Sequence, residues 1–150
     1  MTDVVSIFEA YATTQNWSFA YGSREILDYE TNQKNLTSGK YILWLFPFDE
    51  KAIINTNVGV VTDWDLSTMI WLGRKFDNTA ASGTRSSLDE TQKQKYDRRL
   101  LAIREELATL IKTIFCSGNY ELKSARIRRE INVSSTNIDF VVCEVTFQEL

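Results

Sequence analysis

The chain has 150 residues, 43% of them hydrophobic and 25% charged, with a net charge of −3. That is the length of one domain and the composition of a folded globular protein, and so mild a charge supports no claim of wholesale attraction to nucleic acid or to a membrane. There is no histidine and there are two cysteines, so a Ser-His-Asp or Cys-His relay within one chain is impossible and the usual zinc sites lack their ligands.

Residues 3–13, DVVSIFEAYAT, set Val4, Phe8 and Tyr11 at helical spacing, with Thr2 or Asp3 placed to cap the first turn. This predicts a short amphipathic helix. Asp3 and Glu9 come early and no basic flank precedes them, unlike a secretion signal. No apolar run approaches the roughly 20 residues of a membrane helix. The expectation is a soluble protein made in a reducing cytoplasm, with Cys116 and Cys143 as free, buried thiols.

Trp17, Phe19 and Tyr21 alternate and predict a first strand ending at Gly22. A second strand is expected at Glu25–Tyr29, then a loop through Gly39. KYILWLFPF, Lys40 to Phe48, is apolar on both faces. A strand covered on both sides reads this way, as does one whose outer face meets another subunit. Pro47, the only proline, should stop ladder pairing there. Strands over 50–61 and 64–76 are expected to form a hairpin.

DNTAASGTRSS, Asp77 to Ser87, has no large apolar side chain and predicts an exposed loop. A glycine, hydroxyls and Arg85 before a helix suggest a phosphate cradle. The Walker glycine–lysine spacing is absent, however, and Asp89 and Glu90 already neutralise that helix end. A nucleophilic serine lacks a base. The remaining functional reading is a loop that orders against another subunit, with Arg85 in it.

Ser87 and Glu90 form a capping box, and Tyr96, Leu100, Ile103, Leu107, Leu110 and Ile114 follow as one apolar stripe. Ser117 and Gly118 close the helix. From Leu88 to Cys116 it would span about 43 Å. The last segments, YELKSARIRREINV and NIDFVVCEVTFQEL, predict a terminal hairpin turning at Ser134–Asn137, the first strand broken by a bulge and the second half-buried. The whole is a single α+β domain over 1–150: one mostly antiparallel sheet, a short N-terminal helix and one long amphipathic helix packed on it.

Three sets of residues are candidates for function. Arg126, Arg128 and Arg129, with Lys123, form a basic cluster that can meet an acidic protein partner, or stay solvated beside Glu121 and Glu130. Asp63 and Asp65 flank Trp64 and share a strand face, a pattern open to weak divalent-metal or acid–base work, or to a solvated strand end. Trp44, Phe46, Phe48, Trp64 and Trp71 are mostly core, yet one sheet has difficulty hiding them all. Trp44 and Phe46 are therefore candidates for subunit contact. No cofactor and no metal is expected.

The layout resembles that of tail-terminator, tail-completion and neck-ring proteins of tailed bacteriophages. The features that carry this are the helix at Asp3–Thr13, YILWLFPF, the open loop at Asp77–Ser87, the capped helix from Leu88, and FVVCEVTF near the end. The resemblance is of layout along nearly the whole chain and not of motif. It implies a non-enzymatic virion protein assembled in the host cytoplasm. It also implies a homo-oligomeric ring, often a hexamer, at the head–tail junction, with portal, neck or tail-tube proteins as neighbours. Sequence-specific nucleic-acid binding and membrane binding are not expected. The alternatives are a small adaptor using the basic strand face and, behind it, a metal-dependent enzyme using Asp63 and Asp65.

Overall fold

The computed structural model describes residues 3–23, 39–75, 100–130 and 138–150, without the side chains of residues 129 and 130. Helix α1 (Val4–Thr14) opens the chain. Asp3 caps it: its Oδ1 accepts the Ser6 N–H at 3.2 Å and its Oδ2 accepts the Ser6 hydroxyl. These bonds to the ionised form hold the Asp3 carboxyl below its usual range. Val4, Phe8 and Ala12 are the buried stripe.

Strands β1 (Ser18–Tyr21), β2 (Tyr41–Leu45), β3 (Asp49–Asn55) and β4 (Val60–Lys75) follow, then helix α2 (Leu101–Phe115) and strands β5 (Tyr120–Glu130) and β6 (Ile138–Glu149). They form one six-stranded sheet in the order β1-β2-β4-β6-β5, with β3 attached, among the described residues, to β4 alone. Among the described strands, only β1 and β2 pair in parallel. The α+β architecture with a mostly antiparallel sheet is therefore as the sequence pattern predicts.

The 16-residue β4 organises the sheet. Along one side its C-terminal half pairs with β2, Leu45 opposite Ile70, and its N-terminal half with β3, Asp49 opposite Ser67. Segment 41–55 is thus one long strand interrupted at Phe46–Phe48, where Pro47 cannot donate to the ladder. The buried Thr68 hydroxyl fills part of the break, donating to the Phe46 carbonyl at 2.7 Å.

Both faces of β2 are buried. On the helical face, Leu43, Leu45, Leu66, Ile70, Leu72, Val141, Cys143 and Phe147 meet α1 and α2. Phe115 anchors this core, its ring 4.9 Å from that of Phe147 and 6.3 Å from that of Phe8. On the opposite face, Ile42, Trp44, Phe46, Trp71, Phe140 and Val142 make a second core, with Phe46 stacked on Trp71 at 5.3 Å. Trp44 Nε1–H donates to the Gly22 carbonyl at 3.0 Å. Trp44 and Phe46 are therefore interior residues, and in this fold they offer no surface to a partner.

Leu100, just before α2, and Ile103, Leu107, Leu110 and Ile114 within it are buried, as their spacing predicts. Gly118 stands just past the helix at φ +90. The expected helical turns before residue 100, the loop at 77–87 with Arg85, the strand at 25–29 and the turn at 134–137 lie outside the described residues. Two further expectations are corrected. The hairpin turns at 56–59 and not near 62–63, and Cys116 is exposed while Cys143 is buried. No helix among the described residues is long and apolar enough to cross a membrane.

Candidate interaction surface

The hairpin of β3 and β4 runs past the body of the sheet. β6 covers β4 only from Asp65 onward, where Asp65 faces Gln148. Val60 to Trp64 and their β3 partners are therefore a two-stranded arm. Its turn is set by asparagine and glycine chemistry. The Asn55 side chain accepts the Asn57 N–H at 3.0 Å, the Asn55 carbonyl accepts the Gly59 N–H at 2.7 Å, and Gly59 takes φ +67.

A bulge shapes the arm. Ile53 is opposite Asp63, but Ile54 is opposite Val61, so Thr62 is the extra residue. The Thr62 hydroxyl donates to the Ile53 carbonyl at 3.1 Å. Residues opposite one another share a face. The bulge thus turns Val61 onto the face of Ile54, Ala52 and Trp64, which continues the helical face of the sheet. Ile54 is 53% exposed, Val61 45% and Trp64 44%, with Val58 and Val60 also exposed at the tip. Trp64 was expected in the core. Its β4 neighbour Leu66 is buried under the helical layer, whereas Trp64 stands one step beyond it.

The arm's other face is acidic. Asp49, Asp63 and Asp65 share it with Lys51, since Lys51 is opposite Asp65. Asp65 Oδ1 accepts the Gln148 amide at 2.7 Å and Asp63 Oδ1 accepts the Trp64 N–H at 2.8 Å. The two carboxylates are thus on one face, as expected, but each is engaged with a neighbour. Among the described residues, no three carboxylates or thiols gather as a metal site.

The basic strand lies at the far edge. A bulge between Leu122 and Ser124 sets its register, as the broken alternation predicts. Arg126 is opposite Glu144 and Arg128 opposite Val142, so the two arginines share the face that is acidic on the arm. Arg128 reaches Glu144 at 3.6 Å, and Lys123 reaches Glu121 at 2.9 Å. On the helical face, Leu122, Ala125 and Ile127 follow Phe147, Val145 and Cys143. Glu121 through Arg128 are all exposed. The side chain of Arg129 lies outside the described residues.

Between the arm and the body lies an open groove of about 440 Å³ on the opposite face, lined by Phe46, Pro47, Asp49, Ser67, Glu144 and Thr146. Two electrostatic features lie inside the fold. Burial pushes the Cys143 thiol up to about 11, and burial likewise raises Tyr41, whose ring has the Arg74 guanidinium 5.5 Å from its centre.

Arg126, Arg128, Asp63 and Asp65 were legible as chemistry in the sequence. The apolar stripe of Ile54, Val61 and Trp64 was not, because it depends on the bulge and on where β6 stops. Compared with known proteins, the chain matches no family model and no curated protein.

Proposed function

We propose that this chain is a non-enzymatic structural protein that assembles with copies of itself into a ring, at the head–tail junction of a tailed bacteriophage. The observation that carries self-assembly is the arm. Ile54, Val61 and Trp64 present an apolar stripe on one face of the arm beyond the sheet, at 44% to 53% exposure, with Val58 and Val60 exposed at its tip. Contiguous apolar surface of this kind gains stability by leaving water against a partner. The junction itself is the implication of the element layout: an N-terminal helix, a hairpin with a projecting end, a helix on the sheet and a terminal hairpin. The lack of histidine agrees with a structural role.

The test is the mass of the particle in solution, by native mass spectrometry and sedimentation, alone and with a portal or tail-tube protein of a tailed bacteriophage. A ring on its own or on that partner is the expected result. A monomer under every condition rejects the reading. An adaptor reading rests on exposed Arg126 and Arg128. It predicts a one-to-one complex with an acidic protein and no ring.

A further inference from the structure

We infer that the ring contact is a shared sheet in which β3 of one copy adds to β5 of the next. This rests on the self-assembly reading above and names its surfaces. Three observations support it.

First, among the described residues β3 and β5 are both edges. β3 pairs only with β4, and β5 only with β6, among the described residues. An edge strand presents unpaired backbone N–H and C=O groups, a template for another strand.

Second, the directions agree. β3 is antiparallel to β4, β4 to β6, and β6 to β5, so β3 and β5 run in opposite senses. A copy displaced sideways, without being turned over, sets its β3 antiparallel beside β5. Like faces then lie on the same side.

Third, the faces match. On the helical side, Ala52 and Ile54, with Val61 and Trp64 behind them, meet Leu122, Ala125 and Ile127. On the opposite side, Asp49, Asp63 and Asp65, with Lys51 among them, turn a net acidic face towards Arg126 and Arg128. Asp63 lies one strand behind Ile53, two strand spacings or about 9.6 Å from an arginine on the adjoining β5, a gap that the extended arginine and the aspartate side chain close together. Apolar residues meet apolar residues, and the carboxylate-rich face of the arm meets the arginine face of β5, in an antiparallel pairing that the strand directions allow.

The two edges are not level. β3 lies beside Val60–Ser67 of β4, whereas β5 is level with Asp65–Gly73. Neighbouring copies are therefore staggered along the strands, as tilted strands in a closed sheet are. The contact joins two different surfaces, so it propagates head to tail and closes as a ring when the rotation permits.

The experiment uses two full-length variants. One carries Asp49→Lys and Asp63→Lys, the other Arg126→Glu and Arg128→Glu. Circular dichroism and thermal melting establish that each is folded. Should either fail to fold, the neutral variants Asp63→Asn and Arg126→Gln replace them. Each charge-reversed variant alone is expected to lose the oligomer peak seen for the unaltered chain, as like charges then face each other at every contact. Mixing the two restores it, since a reversed arm then meets a reversed β5 and an unaltered arm an unaltered β5. With the neutral variants the expected result is a weaker oligomer. Single variants that assemble like the unaltered chain overturn the contact while leaving self-assembly standing. So does loss that mixing does not restore. An unaltered chain that stays monomeric, with and without a portal or tail-tube protein, overturns both.

Discussion

The ring of Phe140 lies across Gly73, its opposite residue on the neighbouring strand. A β-carbon at residue 73 would lie 2.5 Å from Phe140 Cε1 and 2.7 Å from Ile138 Cγ2. This glycine is needed for space, because the second core packs Phe140 and Trp71 with ring centres 5.4 Å apart over the same strand. Gly73→Ala should destabilise the fold by about 1–3 kcal/mol through overpacking. Urea denaturation measures it. Adding Phe140→Leu should recover part of the loss relative to the sum of the two single changes.

The Thr68 hydroxyl joins the two halves of the 41–55 strand by its bond to the Phe46 carbonyl. Thr68→Val keeps the shape and removes the donor. A cost of about 1–3 kcal/mol is expected, since the group is buried. The same denaturation measurement checks it, and Thr68→Ser should keep most of the stability.

Cys143 is buried and its thiol is raised from 9.0 to about 11, mainly by loss of solvation. The sign follows from proton counting. Between these values the unfolded chain has lost the thiol proton and the folded chain retains it, so stability falls as pH rises. The contribution is complete below pH 9 and is lost at up to about 1.4 kcal/mol per pH unit towards pH 11. Cys143→Ala should flatten that part of the profile while lowering stability at neutral pH. In the native protein at pH 8, a thiol reagent should label exposed Cys116 and spare Cys143.

Trp64 differs from the two core tryptophans, being 44% exposed where Trp44 and Trp71 are at 0% and 1%. Trp64→Ala should change the stability of the monomer by no more than about 0.5 kcal/mol. It should nevertheless weaken assembly, which sedimentation reads directly. Acrylamide should quench Trp64 fluorescence in the monomer and less so in the assembled particle, and Trp64→Phe identifies that signal.

Much of the body was legible along the chain. The periodicity of Val4, Phe8 and Ala12 and of Ile103, Leu107, Leu110 and Ile114 marks helix faces, because a helix has a fixed pitch. The apolar run YILWL marks a strand buried on both sides. The broken alternation around Lys123 marks a bulge. The hairpin turn was misplaced because the Val-Val-Thr after Gly59 reads as a strand end, while the Asn55 side chain and the left-handed Gly59 make the turn earlier.

Sequence alone therefore determined the α+β class and, among the described residues, most of the elements, since these follow from local periodicity. The exclusion of histidine-based catalysis came from composition alone. Tertiary structure decided which apolar residues are interior and which are surface. Trp44 and Trp64 are both tryptophans on neighbouring strands of the sheet, β2 and β4, but Trp44 lies between layers and Trp64 stands beyond the last residue of β4 that β6 covers. Burial depends on where neighbouring strands end, and that is set by pairing between segments far apart in the chain.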